Sequence, residues 1–204
     1  MKTKILFFLI LIFQVSFGQQ NDEFRGLKGY FENQKSQISK QFERELALAS
    51  FEKKLLMEQD YALFMHKMDS VQNVAFVGAL IRTRNEEDIN LISKLNSIPE
   101  SKYKSEITIP TYPGGMNALR EELVSHFYLD AFSYLDKNLT TQIHFVVDEL
   151  GNIIFVDAEG ENGVLNRQAS LSVYLLEGKF TPAKWKGKNV PYKLEIPIKL
   201  QLEE

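Results

Sequence analysis

The sequence predicts an α+β protein in which an N-terminal helical region is followed by a domain with helices packed on a small antiparallel sheet. Residues 21–70 contain no proline, and their apolar residues are mostly three or four positions apart, which is typical of amphipathic helices. Residues 190–202 alternate apolar and polar side chains, which is typical of a β-strand with one buried face. The two patterns therefore predict two regions of different architecture.

Composition and charge exclude several classes of function. The chain has 204 residues, of which 44% are hydrophobic and 25% are charged, as in ordinary globular proteins. Its net charge of -3 gives no basic footprint for nucleic acid. It contains no cysteine, so neither disulfides nor thiol chemistry are available. No nucleic-acid partner, small-molecule substrate or cofactor is predicted.

The first residues have the layout of a secretory signal peptide. Two lysines precede an unbroken apolar run over 5–13, and Ser16 and Gly18 occupy the −3 and −1 positions before Gln19. We predict a signal peptide over 1–18, cleaved between glycine and glutamine, and a periplasmic protein. The alternative is an uncleaved helix that anchors the chain in the inner membrane.

The helical region is predicted over 19–97. Its apolar stripe slips near Ser50, which indicates a break and favours a helical hairpin or short bundle over one long helix or a coiled coil. Residues 74–81 are apolar on all sides and are expected to be buried. Asn85, followed by three acidic residues, predicts the N-cap of a further helix that ends before Pro99.

A linker is predicted over 98–111 and a second domain over 112–204. Gly151 favours a hairpin turn between two strands, because glycine adopts positive φ without strain. The predicted elements, in order, are helix 116–127, a shorter helix 128–136, strand 142–148, turn 149–152, strand 153–158, helix 165–176 and the final strand.

Several short motifs in this second half occur together and in order. They are Tyr112-Pro113-Gly114-Gly115-Met116, Phe145-Val146-Val147-Asp148, Gly151, Pro182-Ala183-Lys184, Gly187-Lys188 and Pro197-Ile198. Together they resemble the TonB C-terminal domain family, in the form common in Bacteroidetes, over about half of the chain.

The resemblance implies a protein-binding function. In this family the last strand takes up an extended segment of an outer-membrane transporter, which is binding by β-augmentation. For this chain it implies a periplasmic module that docks an extended peptide from a transporter or another envelope protein, with a link to TonB-dependent transport. The residues expected on that edge strand are Lys193, Glu195, Pro197, Lys199 and Gln201.

The chain also departs from the family pattern. Tyr128-Leu129 replaces the usual Tyr-Pro, which lies near bound transporters in the family. This candidate recognition segment is therefore altered, which weakens the expectation of transporter recognition but leaves the predicted fold unchanged. A signal peptide and a helical region replace the membrane helix and proline-rich spacer of an energy transducer. Two alternatives stay open: a membrane-anchored transducer with an uncleaved N-terminal helix, and an envelope assembly protein or homodimer that associates with its own copies.

No catalytic constellation is evident. The chain lacks a nucleophile elbow, a phosphate loop and an HExxH motif, and it has only three histidines. His144 and Asp148 share a strand face and could form a metal or acid–base pair, but the polar outer face of a half-exposed strand is the favoured explanation. His66 and His126 are expected at the surface or at a helix end. We therefore predict neither an enzyme nor a metal site.

Overall fold

Two long helices form an antiparallel hairpin. The computed structural model describes residues 19–87, 107–132 and 138–201. Helix α1 is Gln19–Leu48 and helix α2 is Phe51–Glu87, so the predicted break near Ser50 is confirmed. The rings of Phe42 and Tyr61 stack with centroids 4.1 Å apart across the seam between the helices.

The open end of the hairpin packs against the C-terminal half of the chain. Phe24 of α1 is fully buried and stacks on Tyr174 with ring centroids 4.7 Å apart. Phe76 and Leu80 of α2 belong to the same hydrophobic cluster as the C-terminal residues. One continuous core therefore holds the hairpin to the rest of the protein.

Two expectations for α2 are wrong. Phe76 and Leu80 are buried as predicted, but Val74 and Ile81 are 67% and 54% exposed, because α2 has neighbours on only part of its circumference. Asn85 is not an N-cap, because α2 continues without interruption to Glu87. The rest of the helix predicted after Asn85 lies outside the described residues.

The C-terminal unit, residues 107–132 and 138–201, contains the main sheet. Its strands are β2, Asn138–Val147, β3, Ile153–Glu159, and β6, Tyr192–Gln201. They lie in the order β3-β2-β6, and both pairings are antiparallel. The predicted hairpin turn is confirmed, with Gly151 at φ 83°. The Asp148 carboxylate stabilises this turn by accepting hydrogen bonds from the backbone amides of Leu150 and Asn152.

Helices cover one face of this sheet, as the predicted α+β class requires. Helix α3 is Gly115–Ser125, and helix α4 is Gly163–Tyr174. The Asn162 side chain caps α4 by accepting hydrogen bonds from two backbone amides of its first turn. Alternate residues of β2 that were predicted to face the core, such as Ile143 and Phe145, are fully buried.

A second small sheet was not predicted. Its strands are β1, Ile107–Thr108, β4, Ala183–Trp185, and β5, Lys188–Val190, in the order β1-β4-β5. Residues 107–108 of the expected linker therefore belong to a sheet, whereas 98–106 lie outside the described residues. The alternating tail begins at Tyr192 rather than at residue 190, because Pro191 separates β5 from β6.

The short helix predicted over 128–136 is described only in its first part. A 3₁₀ helix spans Leu129–Phe132, and residues 133–137 lie outside the described residues. Phe132 is buried in the core. Leu139 and Phe180 are buried in the core as well.

Candidate functional site

Strand β6 forms one edge of the main sheet within the described parts of the chain. It pairs with β2 in a continuous antiparallel register from Tyr192 opposite Val147 to Gln201 opposite Asn138. Its other side pairs with no described strand. An unpaired strand edge presents a row of backbone donors and acceptors that can bind another extended chain.

The backbone direction of each β6 residue follows from the alternation of an antiparallel ladder. The Thr140 carbonyl oxygen points towards Gly160, which directly follows β3, since a Cβ added to this glycine would lie only 2.6 Å from that oxygen. Backbone groups alternate in direction along a strand, so the even-numbered residues of β2 all direct theirs towards β3. Their odd-numbered neighbours therefore bond to β6. Thr141 is opposite Ile198, so the even-numbered residues of β6 form the backbone hydrogen bonds with β2. The outward backbone groups belong to Lys193, Glu195, Pro197, Lys199 and Gln201.

These five residues are the edge-strand residues predicted from the sequence, and their side chains are exposed on the solvent face. The intervening side chains of β6, such as Leu194 and Ile196, are buried in the core. A peptide could therefore bind along the edge without disturbing the buried face of the strand.

Pro197 lies at the centre of this edge. It is opposite Gln142, and the pairing of β6 with β2 passes through it without a register shift. Proline has no N–H to donate, and at an outward position the ladder with β2 loses nothing. The free edge therefore offers a carbonyl but no donor at its midpoint.

A charged pair flanks the proline on one side. Lys193 Nζ lies 3.1 Å from the Glu195 carboxylate, and this contact lowers the pKa of Glu195 below its ordinary value. His144 Nδ1 is 3.3 Å from the same carboxylate, without hydrogen-bond geometry. Glu195 is therefore an anion at neutral pH, beside two basic side chains.

His144 and Asp148 do not form a pair. Asp148 is engaged in the hairpin turn, whereas His144 faces Glu195 on the neighbouring strand. Within residues 22–83, 107–132 and 138–201, no three metal-ligating side chains gather into a cluster that could hold an ion.

The predicted recognition segment, Tyr128 and Leu129, lies at the joint between the hairpin and the C-terminal unit. Both residues line a cavity of about 360 Å³ with Asn73, Phe76 and Leu171. The Tyr128 backbone N–H donates to the side-chain oxygen of Gln168, at 3.2 Å. The segment thus packs against α2 and α4, and the structure does not gather it into one site with β6.

The remaining two histidines also lie at this joint. His66 Nδ1 of α2 is 3.3 Å from the Asp130 carboxylate. His126 is the C-cap residue of α3, as expected for a histidine at a helix end. Burial and the nearby Lys28 ammonium lower its pKa, so the ring is neutral at pH 7 and its interaction with the helix dipole is weak.

Sequence reasoning missed the side chains that hold the joint together. Gln168 is 3% exposed, and its amide group donates to the Asn73 side-chain oxygen at 2.8 Å. A glutamine among apolar residues in a buried helix was the available signal, because buried polar groups need hydrogen-bond partners. The partner itself could not be read from the local sequence.

Neither a family model nor a curated protein matches the chain. Across the described residues, none of the helices combines the length and apolar character needed to cross a bilayer. The predicted signal peptide, 1–18, lies outside the described residues.

Proposed function

We propose that this protein is a protein-binding module that takes up an extended peptide as an additional strand beside β6. The unpaired edge of β6, with five exposed outward-facing residues, carries the proposal. Backbone hydrogen bonds along such an edge supply affinity, and alternate side chains supply selectivity.

The regularity and length of β6 favour it as the peptide-binding edge over β3, the strand at the opposite edge of the sheet. Strand β6 has ten residues in unbroken register, whereas β3 has seven and its pairing shifts between Val146 and Val147. Bulges and short strands are devices that protect an edge from pairing with other chains. Strand β6 lacks both, although Lys193, Pro197 and Lys199 on its edge also limit unselective pairing.

The side chains of the edge suggest which peptide would bind. Lys193 and Lys199 are separated by the anionic Glu195, so a partner strand with acidic residues opposite the lysines and none opposite Glu195 fits best. By resemblance to the TonB C-terminal domain family, the partner would be an outer-membrane transporter or another envelope protein in the periplasm.

The test combines crosslinking with a proline substitution. A photoreactive residue at Lys199 should crosslink in cells to an envelope protein, whereas one at Glu159, an exposed residue of β3, should not. Glu195→Pro removes an outward N–H and leaves the ladder with β2 intact, as Pro197 already does, so it should weaken the crosslink. Glu195→Ala should retain it, because this variant keeps the outward backbone N–H. An undiminished crosslink in Glu195→Pro would rule out binding along this edge.

The membrane-anchored energy transducer is separated from this proposal by the mature N-terminus. A cleaved periplasmic protein begins at Gln19, and mass spectrometry of the protein from cells reads this directly. A chain that retains residues 1–18 would support the anchored alternative instead.

A further inference from the structure

An apolar stripe runs along the outer side of α2. Leu56, Leu63, Val74 and Ile81 are 63%, 53%, 67% and 54% exposed. Other faces of the helix carry its contacts, such as Tyr61 against α1. Single exposed apolar residues are normal on a protein surface, and what distinguishes these four is that they share one side of the helix.

Helix geometry aligns the four residues. Leu56 and Val74 are eighteen residues apart, as are Leu63 and Ile81, and eighteen residues make five turns of 3.6 residues. The members of each pair therefore lie directly above one another, and the two pairs differ by about 20° around the axis. The stripe is straight and about 37 Å long, at 1.5 Å per residue.

The stripe is also symmetric about its centre, which lies between Met68 and Asp69. Leu56 and Ile81 are equally far from that point, and so are Leu63 and Val74. On the face of the stripe, the polar residues nearest the centre are Lys67 and Ser70, and they are symmetric as well, whereas Asp69 faces α1 and contacts Lys35. A two-fold interface requires this property, because residue i contacts j while j contacts i.

We propose that α2 pairs antiparallel with α2 of a second copy of this chain through the stripe. In that arrangement Leu56 meets Ile81 of the second copy, Leu63 meets Val74, and Lys67 meets Ser70. A parallel pair would instead place Lys67 beside Lys67 and Asp60 beside Asp60, and like charges at facing positions are unfavourable.

The position of the C-terminal unit favours the same arrangement. It packs on the C-terminal half of α2, through Asn73, Phe76 and Leu80. Antiparallel pairing places the two units at opposite ends of the helix pair, whereas parallel pairing brings them side by side.

The size of the stripe sets the expected affinity of the dimer. A face about 37 Å long and about 10 Å wide covers about 370 Å² on each partner, less than half of the about 800 Å² that a standard specific interface buries on each side. We therefore expect a weak, reversible dimer that forms only as the protein concentration rises towards about 100 μM.

Engineered cysteines test the direction of the pairing, and the chain has no native cysteine to interfere. A protein with both Leu63→Cys and Val74→Cys should form a disulfide-linked dimer under mild oxidation. Leu63→Cys alone should not, because the two introduced thiols would be about 16 Å apart along the axis, beyond the reach of about 7 Å between the Cα atoms of a disulfide. Efficient crosslinking of Leu63→Cys alone would overturn the antiparallel arrangement.

Sedimentation velocity tests the surface itself. Wild-type protein should shift towards a dimer as its concentration rises to about 100 μM, and Leu63→Glu should shift it back to a monomer. Leu48→Glu, which changes a 90% exposed leucine outside the stripe, is the matched control and should still dimerise. A monomeric wild type at 100 μM overturns the proposal.

Different experimental results would overturn the peptide-binding proposal and the dimer proposal. A dimer that survives Leu63→Glu but dissociates in Glu195→Pro would form through β6 and would also overturn the stripe interface. Loss of peptide binding in Glu195→Pro leaves the stripe prediction unaffected.

Discussion

The C-terminal unit and the hairpin use similar apolar patterns with different results. Helix α4 buries eight of its twelve residues, because the sheet, α3 and the hairpin surround it. The hairpin buries few of its residues outside the end that meets this unit, and Leu48 and Phe51 at its tip are each 90% exposed. An amphipathic pattern therefore predicts a helix in both regions, but burial depends on how many neighbours the helix has.

The largest expected difference between the two regions concerns core truncation. Phe145→Ala, in the fully buried centre of β2, should lower the free energy of unfolding by about 3–5 kcal/mol, because it removes apolar contacts and leaves a cavity. Phe51→Ala at the hairpin tip should change it by no more than about 0.5 kcal/mol. Urea denaturation of both variants measures the contrast. A large loss in Phe51→Ala would show that the tip is covered in solution.

An intermediate effect is expected at the joint between the regions. Gln168→Met keeps the size of the side chain but leaves the Asn73 side-chain oxygen and the Tyr128 N–H without their partner. The free energy of unfolding should fall by about 1–3 kcal/mol, the usual cost of a buried unsatisfied polar group. Hydrogen exchange should accelerate in α2 around Asn73.

The exposed Gln41→Met provides the matched control for this joint and should leave both measurements unchanged. Equal protection of α2 in the wild type and in Gln168→Met would mean that the hydrogen bond between Gln168 and Asn73 does not help to hold the hairpin.

The smallest expected effect is a pH dependence at the same joint. The pKa of His126 is lowered in the folded protein by burial and by Lys28, although Glu122 and Glu177 oppose the shift. The unfolded chain therefore binds the proton more tightly than the folded protein does. The contribution of His126 to stability is complete above its ordinary pKa of 6.5 and is lost as the pH falls towards the folded value.

Stability measured between pH 7.5 and 5 should thus decrease less in His126→Gln than in the wild type. The control is His66→Gln, which changes an exposed ring. Its stability should fall between pH 7.5 and 5 as much as that of the wild type, because His126 is unchanged. NMR titration of the His126 ring should give a midpoint below 6.5. A midpoint above that value would contradict the burial of this ring at the joint.

Local patterns predicted the elements well where the periodicity is long and regular. The slip near Ser50, the hairpin turn at Gly151 and the alternation of β6 all appear in the structure. Short strands were missed, because two or three residues such as Ile107–Thr108 carry no measurable period and depend on a partner distant in sequence. The false N-cap at Asn85 shows the opposite failure, since a suitable capping residue does not end a helix that can continue.

The candidate site likewise has a part that the sequence predicted and a part that only the structure showed. Its solvent-exposed side chains followed from alternation alone, because side chains along a strand have a fixed period of two. That β6 lies at an edge depended on the order β3-β2-β6, which is a matter of long-range pairing. Likewise, the position of Tyr128 beside the hairpin depended on contacts with Asn73 and Gln168, which no local pattern encodes.

The sequence by itself determined the α+β class, the break in the helical region and the two faces of the last strand, because each depends on neighbours within a few residues. Only the tertiary structure decided which apolar side chains are buried, which strand ends the sheet and where the hairpin attaches. Those properties arise from contacts between segments far apart in the chain, and a periodic pattern contains no information about which segments meet.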